Sequence, residues 1–443
     1  MQTLEQYIND KYEGNPTWFE QEVNQSDQMA RVSSVLNNKD YLNMIHRVLN
    51  RKDFTFKGET FEVRKTIFQT VKSFINFFNG YILSNPISLG GNDEEMVKEF
   101  NTVYRKAKYH KLNFNLLDSL LKYGCAYEFV YYDGSNIKSK IINGEDGYPV
   151  YSEDTDEYIG FIESYTSASN NVTYYNVYWG DRVECWTNEG TYIHKVGQYT
   201  SFGLPIKYEN IEIDKVESML EDIKPIMDEF ELFMSKFGDS IETNSINPIL
   251  TQTGTMLEAP KGIDVNANGY VLNLEEGGEM KYVSAQLDLN SIKFYVHQLQ
   301  QQLCDISCVP SILYGQGDVA NISETSIKLL YGKSHSKANW YKYILEDGFE
   351  ERHEIIKTIL AKKGKKYSAD SYIDITFNYN IPMSDKDVIE NLSKQYQDGC
   401  IDKQTYIEKS PLTNDSQQVL ARLGKEKVAD NVQSVVSPEQ GNQ

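Results

Sequence analysis

No stretch of this chain is apolar for long enough to cross a bilayer. The most apolar run, FINFFNGYIL at Phe74–Leu83, is short and interrupted by Asn76, Asn79 and Gly80, whereas a helical span takes about 20 apolar residues. The opening MQTLEQYINDKYEG has no apolar segment of the secretory kind. Cysteine is scarce: Cys125, Cys185, Cys304, Cys308 and Cys400 are odd in number and scattered, which fits a reducing cytoplasm rather than a disulfide framework. Basic charge is also short, with 44 Lys plus Arg against 64 Asp plus Glu and a net charge of −20. Such a surface repels phosphate at long range and disfavours indiscriminate nucleic-acid binding, while leaving local contact open. The G-x-x-x-x-G-K-[ST], H-E-x-x-H and G-x-S-x-G signatures are missing as well. Carboxylate pairs such as Glu94 with Glu95, or Glu350 with Glu351, read as solvated helix faces. The sequence therefore predicts no enzyme, no metal and no cofactor.

What the chain does have is length for two or three domains, 443 residues, and 32 tyrosines. To about Ser119 the pattern is helical; FEVRKTIFQTVKSFINFFNGYIL places Ile67, Val71, Phe74, Ile75 and Phe78 on one face, with Gly80 expected to end the run. From Leu120 the period changes to short aromatic and β-branched segments, KYGCAYEFVYYD, YIGFIESYTS, VTYYNVYWGD, RVECWTNEG and TYIHKVG. Polar turns between them predict one antiparallel meander. A long amphipathic helix is expected from Asp214, in capping-box spacing with Glu217, and Pro225 is expected to kink it. A Gly- and Asn-rich excursion with brief strands follows, then a helix over about 290–307. A very long helix is expected over about 323–363, with Gly332 and Gly348 inside it marking bends or close approach. SYIDITFNYNIPMS reads as a strand returning to the meander, and Asp402 as the cap of a late helix. The fold class is α+β.

Three features invite a functional reading. Gly315, Gly317 and Ala320 have dinucleotide-turn spacing, but no strand precedes them and no carboxylate stands near Lys337, so a flexible connector is the reading. His297, Cys304 and Cys308 fall on one helical face and are soft metal ligands, though they lack a fourth partner; packing against a neighbour is the alternative. Lys357, Lys362, Lys363, Lys365 and Lys366 form a basic helix end that complements the helix dipole without any partner.

The order of elements, with GYILSNPISLGG, FGLPIKYEN and CDISCVPSILYGQGDVANISETSIKLLYGKSHSKANWYKYILEDGFEERHEII in succession, resembles the portal protein, or head-to-tail connector, of tailed bacteriophages. The type is that of long-tailed phages of Gram-positive bacteria. The resemblance covers nearly the whole chain and implies a portal-type fold. In it 1–213 forms an α/β wing with a returning strand near 371–379. Residues 214–244 and 290–309 are stem helices, 245–289 a small β-rich clip, 310–322 the tunnel loop, 323–383 the long bent helix with the wing's return strand, and 384–443 crown helices with a flexible tail. It further implies a dodecameric homo-oligomeric ring at one capsid vertex of the virion, assembled in the host bacterial cytoplasm. Double-stranded DNA would pass through the channel in packaging and ejection. The terminase large subunit would supply the ATP hydrolysis, and head-completion or adaptor, major capsid and scaffolding proteins would be further partners.

Under that resemblance Tyr314, Gly315, Gln316, Gly317, Asp318, Val319, Ala320, Asn321, Ile322 and Ser323 face the DNA. A loop of this composition touches a moving duplex without gripping it, since each neutralised phosphate would deepen binding. Lys328, Lys333 and Lys337 are candidates for limited phosphate contact, and equally a solvated helix face. Lys261, Asp264, Asn266, Asn268, Tyr270, Glu275 and Glu276 would form the clip's docking region. Two other classes remain: another capsid or scaffold-type assembly protein, and a soluble enzyme.

Overall fold

The computed structural model describes residues 2–56, 58–242, 249–254, 276–283, 288–311, 329–368, 370–380, 385–413, 419–420 and 422–423. The chain divides into two units, 1–319 with 330–380, and 320–329 with 381–443.

In the first unit, helices begin where a cap and an apolar stripe coincide. Helix α1 (Leu4–Tyr12) opens on Thr3, whose hydroxyl accepts from the Gln6 N–H while the Gln6 side chain accepts from the Thr3 N–H. Helices α2 (Trp18–Glu22) and α3 (Ser26–Leu42) follow, then a hairpin of β1 (Phe54–Phe56) and β2 (Glu59–Phe61). Helix α4 (Thr70–Leu83) buries Val71, Phe74, Ile75 and Phe78 as their spacing predicts. It starts after Ile67 and runs through Gly80, contrary to the sequence expectation at both ends. The late start has a tertiary cause: the Thr66 and Phe68 N–H groups donate to the Ser235 hydroxyl and the Glu231 carboxylate instead of entering a helix. Burial of the apolar face outweighs the roughly 1 kcal/mol that Gly80 costs inside a helix.

Strand β3 (Ser88–Gly91) leads to α5 (Glu94–Ala107), capped by Asp93, and α6 (Tyr109–Tyr123). Helix α6 ends at Gly124, whose φ is +76° and where a Cβ would lie 2.5 Å from the Glu217 carbonyl oxygen. Only glycine meets both demands.

The tyrosine-rich stretches form strands, but in two sheets rather than one meander. Strands β4 (Cys125–Tyr132) and β5 (Ile137–Ile142) join a later strand in the order β11-β4-β5. Strands β6 (Gly147–Tyr151), β7 (Tyr158–Thr166), β8 (Thr173–Tyr178), β9 (Arg182–Thr187) and β10 (His194–Thr200) make an antiparallel sheet of their own. The split follows from burial. The first six residues of β4 are buried on both faces, so it is a central strand with the five-stranded sheet packed on one side, where the Tyr127 and Phe161 rings lie 5.0 Å apart. Strand β11 (Ile206–Glu209) pairs with β4 from the other edge.

Next, β12 (Ile211–Glu212) and β13 (Lys215–Val216) form a hairpin whose turn residues, Ile213 and Asp214, have φ of 47° and 63°. Asp214 is thus committed to the turn and caps nothing. Ser218 caps α7 (Met219–Ile241) instead, its hydroxyl accepting from the Leu220 N–H at 3.1 Å. Strands β14 (Ile249–Thr253) and β15 (Glu279–Val283) pair antiparallel, and α8 (Leu289–Ser307) and α9 (Gly332–Lys362) follow. Leu329 and Leu330 are helical, Tyr331 interrupts them, and α9 begins at Gly332. Strand β16 (Ile373–Thr376) pairs with β3, not with the meander, so the chain's return is to the Ser88–Gly91 edge. In the second unit α10 (Asp385–Gln397) and α11 (Lys403–Lys409) pack through the Tyr396 and Tyr406 rings, and Asp402 caps α11 as its position predicts.

Gly348 sits inside α9 where the helix crosses Tyr208; a Cβ there would lie 2.2 Å from the Tyr208 ring. Gly348→Ala is expected to lower stability by about 1–3 kcal/mol through overpacking. The urea midpoint should fall with an unchanged slope, and a midpoint equal to that of the parent would refute the close-packing reading.

Candidate functional site

The described residues of greatest functional interest are the two feet, at the end of α8 and the start of α9, of the segment 312–328, which itself lies outside the described residues. Helix α8 stops because Cys308 turns left-handed, with φ of 58°. That turn also takes Cys308 off the helical face it was expected to share with His297 and Cys304, and among the described residues no His, Cys, Asp and Glu cluster suits a metal. Across the gap the Ser334 hydroxyl donates to the Cys308 carbonyl at 2.5 Å, and Lys333 pairs with Asp305 at 2.7 Å. The feet are therefore tied together. Burial pushes the Cys308 thiol up, with Lys337 and Lys333 pulling the other way. The hydrogen bond to Asp305 raises Lys333.

The two described lysine candidates differ. Lys333 stands on the surface, its side chain 68% exposed, and an exposed ion pair is weak enough to exchange. Lys337 is turned inward, 3.9 Å from Glu212 and 5.9 Å from the Tyr341 ring centre. Lys328, the loop residues Tyr314 to Ser323, and Lys261, Asp264, Asn266, Asn268, Tyr270 and Glu275 lie outside the described residues; Glu276 is described and exposed, next to the β14–β15 pair.

Helices α7 and α8 pack through Phe233 and Tyr295, with ring centres 4.8 Å apart, and the Tyr295 hydroxyl donates to Glu229. Phe294, 66% exposed, faces away from this contact.

Helix α9, which carries the far foot, is fixed by a buried polar network that local sequence reading misses. Arg352 donates from Nε and Nη2 to the two Glu128 carboxylate oxygens at 2.9 and 2.7 Å, and from Nη1 to Asn113 Oδ1 at 2.8 Å. The one available signal is position: Arg352 falls in the apolar spacing of Leu345, Phe349 and Ile356, and Glu128 falls within CAYEFVYY.

Beside it, His353 Nε2 lies 2.6 Å from the Tyr104 hydroxyl. Burial, and then the Arg352 charge, lower its pKa from 6.5 to about 3. The unfolded chain therefore takes up this proton first, and the group's contribution is lost as pH falls from 6.5 toward 3. Between pH 7 and pH 5 that loss is about 2 kcal/mol. His353→Gln should narrow the stability gap to the parent by that amount over this interval; parallel pH profiles would contradict it.

The model of the family described as phage portal protein, SPP1 Gp6-like, matches residues 23–433. The chain belongs to this family. It is a portal protein, a structural capsid component rather than an enzyme, with the α+β portal fold. No curated protein matches the chain significantly. Among solved structures it is similar to a chain of the neck of an empty GTA particle computed with C6 symmetry, at 12% identity and TM-score 0.43, covering 79% of this chain and 88% of that one. A chain of the virion of a native gene transfer agent (GTA) particle is similar at 12% identity and TM-score 0.40, with the same coverage. Among the described residues no helix of this portal protein is long and apolar enough to cross a membrane.

Proposed function

We propose that this portal protein is one subunit of a homo-oligomeric ring at a single virion vertex, and that double-stranded DNA passes through the ring during packaging and ejection. The observation that carries the reading is the family match over 23–433. In this assignment 1–213 with the return strand near 371–379 is the wing, 214–244 and 290–309 the stem, 245–289 the clip, 310–322 the tunnel loop, 323–383 the long bent helix with that return strand, and 384–443 the crown helices and tail. The clip meets the terminase large subunit and then head-completion proteins, and the wing meets capsid and scaffolding proteins during assembly in the host cytoplasm.

The loop's composition supports its role. Residues 312–323 contain Asp318 and no lysine or arginine, and the chain's net charge of −20 opposes phosphate binding. Repetition around a ring multiplies any basic contact, so a loop without one slides. Its feet, tied by Ser334 and Lys333, hold the base in place.

Asn321→Lys tests this. The ring should still form, its DNA affinity should fall more steeply with salt, by about 0.9 in log–log slope per added phosphate contact, and packaging in the presence of terminase and ATP should slow. Unchanged salt dependence and an unchanged packaging rate would remove the loop from the DNA path.

A further inference from the structure

The basic helix end that the sequence singles out does not stand alone. Helix α9 stops at Lys362, and the run KKGKK at 362–366 is exposed throughout. There it meets the turn between β4 and β5: the Lys363 ammonium lies 4.1 Å from the Tyr132 ring centre and donates to the Ser135 carbonyl at 3.4 Å. It also meets α5, since Lys365 pairs with Glu99 at 2.5 Å. Helix α5 ends and α6 begins at the same place, with the Tyr109 hydroxyl 2.8 Å from Ser139 Oγ on β5. Their junction, RKAKYHK at 105–111, carries four Lys or Arg and no carboxylate, and so does 362–366. The fold thus gathers two cationic runs, far apart in sequence, at one end of the first unit of a chain whose net charge is −20.

Few carboxylates answer them. Asp133 is taken by Lys138 and Glu99 by Lys365, each at 2.5 Å. The Lys and Arg of 105–111, with Lys362, Lys363 and Lys366, pair with no carboxylate among the described residues. Helix dipoles explain part of the pattern. The ends of α5 and α9 favour cations, but Lys111 stands in the first turn of α6, where the dipole disfavours one, and Lys365 and Lys366 lie beyond α9.

We propose that this end is a sequence-independent binding surface for double-stranded DNA, in addition to the channel, on whose assignment it does not rest. At about 0.15 M salt charges are screened beyond roughly 8 Å. A phosphate arriving here therefore meets the local cations rather than the chain's net charge. The chemistry favours DNA over an acidic protein. Lysine is depleted at protein–protein interfaces, which are anchored by buried aromatic or aliphatic side chains. The rings that could serve as anchors are in use: Tyr132 lies under Lys363, and Phe202 lies 4.5 Å from the Lys362 ammonium. Exposed ammonium groups on flexible stems suit a phosphate backbone, where each contact positions the duplex and none reads a base.

The test is a mobility shift of the full chain with a relaxed closed-circular plasmid. Closed circles cannot thread a preformed ring, so binding reports a surface outside the channel whether or not the ring reading holds. Between about 50 and 200 mM salt, log affinity should fall linearly with log salt, with a slope of roughly −4 to −6. Arg105→Glu with Lys106→Glu, and Lys362→Glu with Lys363→Glu, should each weaken binding at least about 10-fold at the lowest salt and flatten the slope by about 2. Lys215→Glu with Lys386→Glu makes the same charge change at exposed lysines elsewhere and should leave affinity within about 2-fold. No shift at the lowest salt, an equal loss in that control, or tighter binding of poly-L-glutamate than of the plasmid would overturn the proposal. The two test pairs lie on different helices, so either decides the matter if the other fails to fold.

Discussion

Arg352→Met alone should cost about 3–5 kcal/mol and loosen the hold of β4 on α9, because it strands a carboxylate in the core. Arg352 and Glu128 are both 0% exposed. Glu128 also accepts from the Tyr208 hydroxyl at 2.7 Å, and the Arg352 guanidinium lies 4.3 Å from Phe349 and 4.5 Å from Tyr109. Burial pulls the Arg352 pKa down, but the Glu128 charge and then Tyr208 outweigh it and hold the group well above its usual value. Relative to apolar side chains the pair is worth little net, because the cost of taking both charges out of water offsets their attraction, and removing both together should have a different outcome. Glu128→Leu with Arg352→Met should recover part of the loss, the remainder reflecting the Tyr208 hydroxyl and Asn113 Oδ1 left without their partners. Urea midpoints decide both, and a single variant as stable as the parent would show that the network does not anchor α9.

The second large effect lies at α7. Glu231 is fully buried, and its carboxylate stands 2.8 Å from His46 Nδ1 and accepts from the Phe68 N–H at 2.8 Å; His46 Nε2 faces the Tyr41 carbonyl at 2.9 Å. Replacing Glu231 by Leu leaves both donors buried and unpaired, and a loss of about 3–5 kcal/mol is expected. His46→Phe in the same chain should recover part of it, since one of the two orphans disappears, while the Phe68 N–H stays unpaired. A coupling near zero between the two changes in a double-mutant cycle would contradict the pairing.

These two pairs mark where local sequence patterns stop. Helix α8 was legible almost to the residue, because Ile292, Val296, Leu299, Leu303 and Ile306 repeat at helical spacing and Asp288 caps it. The α11 cap at Asp402 was legible for the same reason, a short-range hydrogen bond. Partner choice between distant strands was not. The β16 pattern says strand, yet nothing in it says that Ile375 will lie beside Leu89. The same holds for Asp214, whose capping spacing was overridden by a left-handed turn. Arg352, Glu128, His46 and Glu231 read as surface charges until tertiary structure brings each pair together over more than a hundred residues. Of the candidate site, the sequence reading of a loop at 310–322 falls almost wholly outside the described residues, and the structure shows how the helix ends that flank that segment are tied at Cys308–Ser334 and Asp305–Lys333.

The most direct test of the portal reading is the solution mass of the purified protein, by light scattering on a size-exclusion peak, followed by images of that peak. The account predicts rings with a central hole and a mass of about twelve times the 51.0 kDa chain. A chain that stays monomeric or dimeric at high concentration, and also when co-expressed with its capsid and scaffolding proteins, would contradict it.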